Sequence, residues 1–350
     1  MSDCATPSRR QPLGGLILLL LTAGALPAAA SEPSLALGLP IACVPGESCW
    51  IVNYVDHDPG PGVRDYACGR ATYNLPGSSG HNGTDFAVRD GRAMRSGVAV
   101  LAAADGTVVA TRDTVADADI KDSTLPLASG GKDCGNGVVV RHGNGWETQY
   151  CHLRQGSVAV TTGQRVLAGE RLGLVGLSGF TQFPHVHVTV RHAGTVIDPF
   201  VGAVRPSGCG VGDAPLWKAS TLAKLPYDLN VVYHAGFAGE KPAPGKARNG
   251  DYAAAVMERD VPALMLWADL FNVRAGYRLV LSVHGPDGRT VSSASIPIEK
   301  DQARLFVFAG QPLQGNRWPA GDYEGRIHLA GGDIAPGTEP PPIAVRVTLR

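Results

Sequence analysis

The feature that most constrains this fold is a series of short apolar, β-branched runs separated by glycine-bearing turns, with little helical periodicity anywhere. From about residue 85 the runs are DFAV, then VAVLAAADGTVVATR with Asp105-Gly106 as a hairpin signal. GVVVRHGNGWETQYCHL follows around a Gly-Asn-Gly turn, then the glycine-broken GQRVLAGERLGLVGLSG, then HVHVTVRHAGTVIDPF, turning at Ala193-Gly194. The pattern predicts a mostly β chain, with one antiparallel β domain over 81–205. The 45 glycines and 26 prolines agree, because both residues punctuate strands and break helices.

The rest of the chain divides by composition. Residues 1–30 carry Arg9 and Arg10, the apolar run GGLILLLLTAGAL and the small-residue stretch PAAA, the order of a secretory signal. That run is short for a membrane-spanning helix, so no stable span is expected in the mature chain. Residues 31–80 read as a loop-rich lead-in containing cysteines, and 113–135 as a long loop inside the β domain. A Pro/Gly linker is expected over 206–225. Beyond it, 226–350 offers short strands such as LMLWADLFNV, YRLVLSVH and IAVRVTLR, spaced as in an immunoglobulin-like β-sandwich. The destination expected is periplasmic or extracellular.

Cysteine count and charge narrow the chemistry. Removing Cys4 with the signal leaves six cysteines, an even number that suits disulfides in an exported protein. None forms a C-x-x-C pair, which argues against a structural zinc site. Cys134 and Cys151 flank a predicted hairpin and are the best single pair; the other four are expected to tie residues 41–70 to each other or to Cys209. Lys+Arg and Asp+Glu both total 31, so no charge excess points to nucleic acid.

Three short motifs carry chemistry. His81 and Asp85 stand four residues apart around Gly83 in GHNGTDFAV. In HVHVTV, alternation puts His185 and His187 on one strand face while Val186 and Val188 enter the core. In YCHL, His152 is expected on the face of Tyr150, with Cys151 pointing away. Each motif alone has a plainer reading as polar loop or solvated face. Together, in order and within one β domain, they supply two imidazoles and a carboxylate for a hydrolytic metal, with further histidines for proton transfer.

These motifs resemble the signature set of the LytM/lysostaphin-type zinc metalloendopeptidases: His81-x-x-x-Asp85, Tyr150-x-His152-Leu153 and His185-x-His187, with AADGTVVA and GLSGFTQFPHVHV around them. The likeness covers about residues 80–200. It implies an antiparallel sheet with a groove walled by loops such as 113–135. It implies Zn2+ on His81, Asp85 and His187, His152 and His185 as catalytic histidines, and peptidoglycan peptide cross-links as substrate. Val186 and Val188 replace residues more usual in the family but stay apolar.

Other features have simpler explanations. The sequon Asn82-Gly83-Thr84 lies inside the proposed site, where a glycan would block it. Asp56-His57-Asp58 with Asp65 reads as a polar loop; His142, His192 and His234 as surface histidines; Trp217, Trp267 and Trp318 as sandwich core. Two alternatives to the peptidoglycan endopeptidase stand: a catalytically silent wall-binding regulator on the same fold, and a zinc endopeptidase acting on other, glycine-rich proteins.

Overall fold

The computed structural model describes Met1 and residues 35–74, 80–118, 133–204, 208–334 and 340–350. The expected signal and most of the 113–135 loop lie outside the described residues. Leu35–Arg350 form one compact unit.

The first half runs β1 (Cys49–Asn53), β2 (Thr84–Val88), α1 (Gly91–Ser96), β3 (Ala99–Leu101), β4 (Gly106–Arg112), β5 (Asn136–Gly143), β6 (Trp146–Leu153), β7 (Arg165–Val166), β8 (Arg171–Leu174), β9 (His185–His192) and β10 (Thr195–Ile197). An antiparallel sheet takes the order β1-β2-β9-β6-β5-β4-β7, with β10 continuing along the β2 side of β9. Tight turns close β5–β6 at Asn144-Gly145 and β9–β10 at Ala193-Gly194; all four residues have positive φ, which matches the twist of the strands they join. The Asp105-Gly106 hairpin does not form. β3 pairs instead with β8, and Asp105 spends its side chain on the Ala168 N–H. A local turn signal cannot tell which strand its neighbour will pair with.

One face of the sheet is apolar, with Phe86, Val138, Tyr150, Val186 and Val188 all buried. Each such side chain contributes about 1.5–3 kcal/mol by leaving water. The lead-in shares this core through Leu35, Leu37, Ile41, Tyr54 and Tyr66, and β1 completes the sheet edge. Leu216 and Leu225 pack there as well, and so does Trp217, which belongs to this core and not to the sandwich. Three disulfides form: Cys43–Cys49, Cys68–Cys209 and the expected Cys134–Cys151.

The second half comprises α2 (Ala219–Leu222), β11 (Val231–Ala238), α3 (Pro244–Asn249), β12 (Val256–Met257), β13 (Ala263–Val273), β14 (Tyr277–His284), β15 (Thr290–Pro297), β16 (Gln302–Pro312), β17 (Gly321–Gly331) and β18 (Ile343–Leu349). Two sheets, β11-β13-β16 and β12-β18-β17-β14-β15, share one core built on Leu264, Leu266, Leu279, Leu281 and Val347. Trp318 lies in it, while Trp267 sits in a small satellite with Ala238 and Ala247.

A further cluster joins the halves: Val52 and Ala87 of the first sheet meet Tyr233 and Phe271 of the sandwich, with Trp50 and Phe183 against them. Behind it lies Asp269, 1 % exposed, which accepts from Tyr233 (2.7 Å), Arg248 (3.1 Å) and Arg304 (3.1 Å). Burial pushes the Asp269 carboxyl up, but the Arg304 and Arg248 guanidiniums outweigh it and hold the group below the usual carboxylate range.

Two expectations follow. Chain-entropy arguments rank the disulfides by loop length, with separations of 141, 17 and 6 residues. Paired Cys→Ala changes should therefore cost about 5, 3 and 2 kcal/mol for Cys68–Cys209, Cys134–Cys151 and Cys43–Cys49; denaturant titration checks the order. Because Asp269 titrates lower when folded than unfolded, its contribution is complete above about pH 4 and drains away as pH falls through its depressed folded value. Asp269→Asn should cost about 3 kcal/mol at pH 7 by leaving two guanidiniums unpaired. Melting scans from pH 7 to pH 2 should show the gap to wild type closing below about pH 4.

Candidate active site

Strand register assembles the centre. In the β2–β9 ladder Asp85 lies opposite His187, and Ala87 opposite His185, so the carboxylate and both imidazoles share the face away from the core. His81 reaches the same point from the segment just before β2. Gly83 lets it do so: a Cβ there would come within 2.6 Å of both His187 Nε2 and the Val188 carbonyl.

His152 arrives by another route. Tyr150 faces Val188 across the β6–β9 ladder and lies in the core, its hydroxyl accepting from the Ala103 N–H; Cys151 faces His187 on the site side. Strict alternation would carry His152 back into the core beside Tyr150, so the expected shared face is wrong. Between Tyr150 and Leu153 the pairing with β5 shifts by one residue, and His152 takes φ 62, a left-handed value that costs a non-glycine residue energy. This bulge places Cys151 and His152 on the same side, returns Leu153 to the core, and aims the His152 imidazole at the site. The His152 N–H donates to the Cys134 carbonyl at 2.8 Å, next to the Cys134–Cys151 bond.

Outer partners settle which nitrogen of each histidine looks inward. His81 Nδ1 donates to the Tyr54 carbonyl (2.7 Å), leaving Nε2 inward. His187 Nε2 donates to the Asn82 side-chain oxygen (3.0 Å), leaving Nδ1 inward. Asn53 donates to Asp85 Oδ2 (2.8 Å), leaving Oδ1 inward. These three inward atoms lie 2.8–3.2 Å apart. With both imidazoles neutral, they present three converging lone pairs and no proton between them, which is repulsive unless a cation sits among them. Tetrahedral metal bonds of 2.0–2.1 Å would put ligands about 3.3 Å apart, so the donor set fits. His81, Asp85 and His187 form this possible metal site, the one such group among the described residues.

His152 and His185 stand beside it, rings 4.6 Å apart. His152 Nδ1 donates to the Ser178 carbonyl (2.9 Å) and His185 Nδ1 to the Phe183 carbonyl (2.9 Å), so both present Nε2 to the centre. Burial holds His152 well below the usual histidine range, with His185 and His187 adding to it. Burial raises and His81 and His185 lower the Asp85 carboxyl, which ends well below its ordinary value. For His81 the balance tips the other way: burial lowers it, Asp85 more than compensates, and it rises. The proton His81 then favours is one that a bound metal displaces. A cavity of about 260 Å³ opens over the face, lined by Gln149, Cys151, His152, His187, Thr189 and Arg191.

The structure thus brings together all five residues expected from sequence. It adds Asn53, Asn82, Thr189 and the Tyr54 and Ser178 carbonyls. Thr189, two residues beyond His187 and 2.9 Å from its Nε2, was open to discovery by strand alternation. Asn53, on another strand, had no local signal. The remaining candidates settle elsewhere. His57 pairs with Asp198 (2.7 Å), while Asp65 takes three backbone N–H groups and the Tyr227 hydroxyl, bracing a loop. His142 and His192 bond backbone carbonyls. His234 is not a surface residue; its side chain is 11 % exposed, packed near Asp90.

The segment that carries this face is also the one that a known family matches. Residues 79–199 match Peptidase family M23. Peptidoglycan DD-endopeptidase ShyA of Vibrio cholerae is 39 % identical over 107 residues, 31 % of this chain and 19 % of the relative. DD-carboxypeptidase/endopeptidase Mpg of Neisseria meningitidis is 34 % identical over 119 residues, 34 % of this chain and 22 % of the relative. The chain spans about a fifth of the length of these curated relatives. Among solved structures, a zinc-containing peptidase from Vibrio cholerae aligns at 25 % identity and TM-score 0.28, covering 46 % of this chain and 41 % of that one. The catalytic domain of lysostaphin from Staphylococcus simulans aligns at 22 % identity and TM-score 0.27, covering 37 % and 83 %. Residues 79–199 of this chain are a Peptidase family M23 domain, and the possible metal site lies within them.

Proposed function

We propose that the chain is an exported zinc metalloendopeptidase that hydrolyses peptide cross-links of bacterial peptidoglycan. The observation that carries the reading is the convergence of the inward lone pairs of His81, Asp85 and His187 beside two histidines that turn Nε2 toward them. The substrate class is supported by relatives named as peptidoglycan endopeptidases. Export is supported by the signal-like order of residues 1–30 and by three disulfides, which persist in oxidising compartments.

In this reading His81 Nε2, His187 Nδ1 and Asp85 Oδ1 hold Zn2+. Bound there, zinc would lower the pKa of an attacking water to roughly 7 and polarise the scissile carbonyl. His152 is neutral and fixed by Ser178, so its Nε2 can accept the water's proton and return it to the leaving amine. His185 stands 3.5 Å from Asp85 Oδ1 and, once protonated, can donate to the developing oxyanion. Asn53, Asn82 and the Tyr54 carbonyl hold the ligands in orientation. The C-terminal sandwich is read as immunoglobulin-like on its strand order and on Tyr323, which sits near the start of β17 and donates to the Pro319 carbonyl four residues upstream.

Purified chain lacking residues 1–30, loaded with zinc and incubated with isolated peptidoglycan, should convert cross-linked muropeptides to monomers by mass spectrometry. Chelation and Asp85→Ala should abolish release; undiminished release with the metal removed would sink the metallopeptidase reading. The roles separate by metal content. His81→Ala and His187→Ala should lose both zinc and activity. His152→Ala should keep one zinc per chain while kcat falls about 10²–10⁴-fold. Loss of zinc in His152→Ala would make it a ligand instead.

A further inference from the structure

A second cavity, about 270 Å³, opens on the other flank of the candidate centre, and the sandwich builds part of it. Asp85, His185 and Phe183 line it from the peptidase domain; Phe271, Ala303 and Arg304 line it from β13 and β16. The connection to the centre is direct. The His185 ring stacks on Phe183 at 4.5 Å, and the Arg304 guanidinium lies over that same Phe183 ring at 4.5 Å and over Phe271 at 4.8 Å. His185 and Arg304 are therefore no more than about three extended residues apart.

On the sandwich side of the cavity the charge is unbalanced: Arg304 and Arg248 share a single carboxylate, Asp269, and the remaining partner, the Tyr233 hydroxyl, is neutral. Asp85, across the cavity, is engaged by His81, His185 and His187. Arg304 bonds through Nε and Nη2, while its Nη1 makes no hydrogen bond among the described residues. Phe183 and Phe271 pack against the guanidinium, and Asp269 and Tyr233 tie down its Nε and Nη2. Arg304 thus lines the cavity as a braced, weakly hydrated cation with a donor to spare, a good receptor for a carboxylate.

We propose that this cavity is a substrate subsite in which Arg304 of the sandwich takes a free carboxylate of the peptide strand bound beside His185, with Phe183 and Phe271 as its apolar walls. The inference rests on the peptidase reading above and extends it. The sandwich becomes part of the substrate site, and the occupant is a peptide bearing an uncapped acidic group a few residues from the bond to be cut.

The test uses one cross-linked peptide made in two forms, free acid and carboxamide. Binding to the full chain is measured by calorimetry with chelator present, so that nothing is cleaved. Wild type should bind the acid at least tenfold tighter than the amide. Arg304→Gln should erase that preference by weakening the acid alone, and Arg304→Lys should keep part of it. Equal binding of both forms by wild type, or a preference that survives Arg304→Gln, overturns the proposal. So does equal weakening of both forms, which marks a structural role. Should Arg304→Gln fail to fold, Ala303→Trp fills the same cavity from a residue outside the ion network. It should abolish binding of both forms with an unchanged melting transition, and unimpeded binding would overturn the proposal. Turnover is read in parallel with zinc. Acid-selective binding without turnover would sink the hydrolase reading while leaving the subsite in place.

Discussion

The register between β2 and β9 is the constraint on which the rest of the site depends. A slip of one residue would exchange His185 and His187 for Val186 and Val188, drowning two imidazoles in the core and stranding two valines in the cavity. The apolar face prevents that slip. Phe86, Val186 and Val188 find their places only in the register that sets Asp85 against His187. Core packing and metal-site geometry are therefore the same fact seen from two sides of one sheet.

Much of this was legible in the sequence because it obeys local rules. The glycine-marked turns at 144–145 and 193–194 and the alternation in HVHVTV follow from strand geometry, and His81 with Asp85 follows from spacing around a glycine. What was hidden is non-local or breaks those rules. The bulge at Cys151–His152 violates the alternation used to read it, and nothing in YCHL announces a left-handed histidine. Asp105-Gly106 carried a real turn signal, but β3 found a partner in β8, some seventy residues later. Asn53 belongs to a segment that reads as loop, and its value lies in a carboxylate thirty-two residues on. The junction cluster could not be foreseen either, since it depends on which faces two separate sheets turn toward each other.

The site also illustrates how a functional centre is kept unstable locally and stable globally. Converging lone pairs, a left-handed histidine and a buried carboxylate all work against folding. They persist because their outer partners are fixed by ordinary structure: Tyr54 by the aromatic core, Ser178 by the Asn136 N–H at the start of β5, which donates to its hydroxyl, and Cys134 by a cross-link.

The edge strand β1 sets a limit on how far the chain could be shortened from its N-terminal side. It covers the open side of β2, carries the Asn53 amide that orients Asp85, and leads into the Tyr54 carbonyl that sets the His81 ring. Upstream of it, Leu35, Leu37 and Ile41 are threaded into the domain core. Any shortening of the chain from this end would therefore meet a floor. Shortening that ran past Asn53 would uncover a sheet edge and release the carboxylate's anchor together.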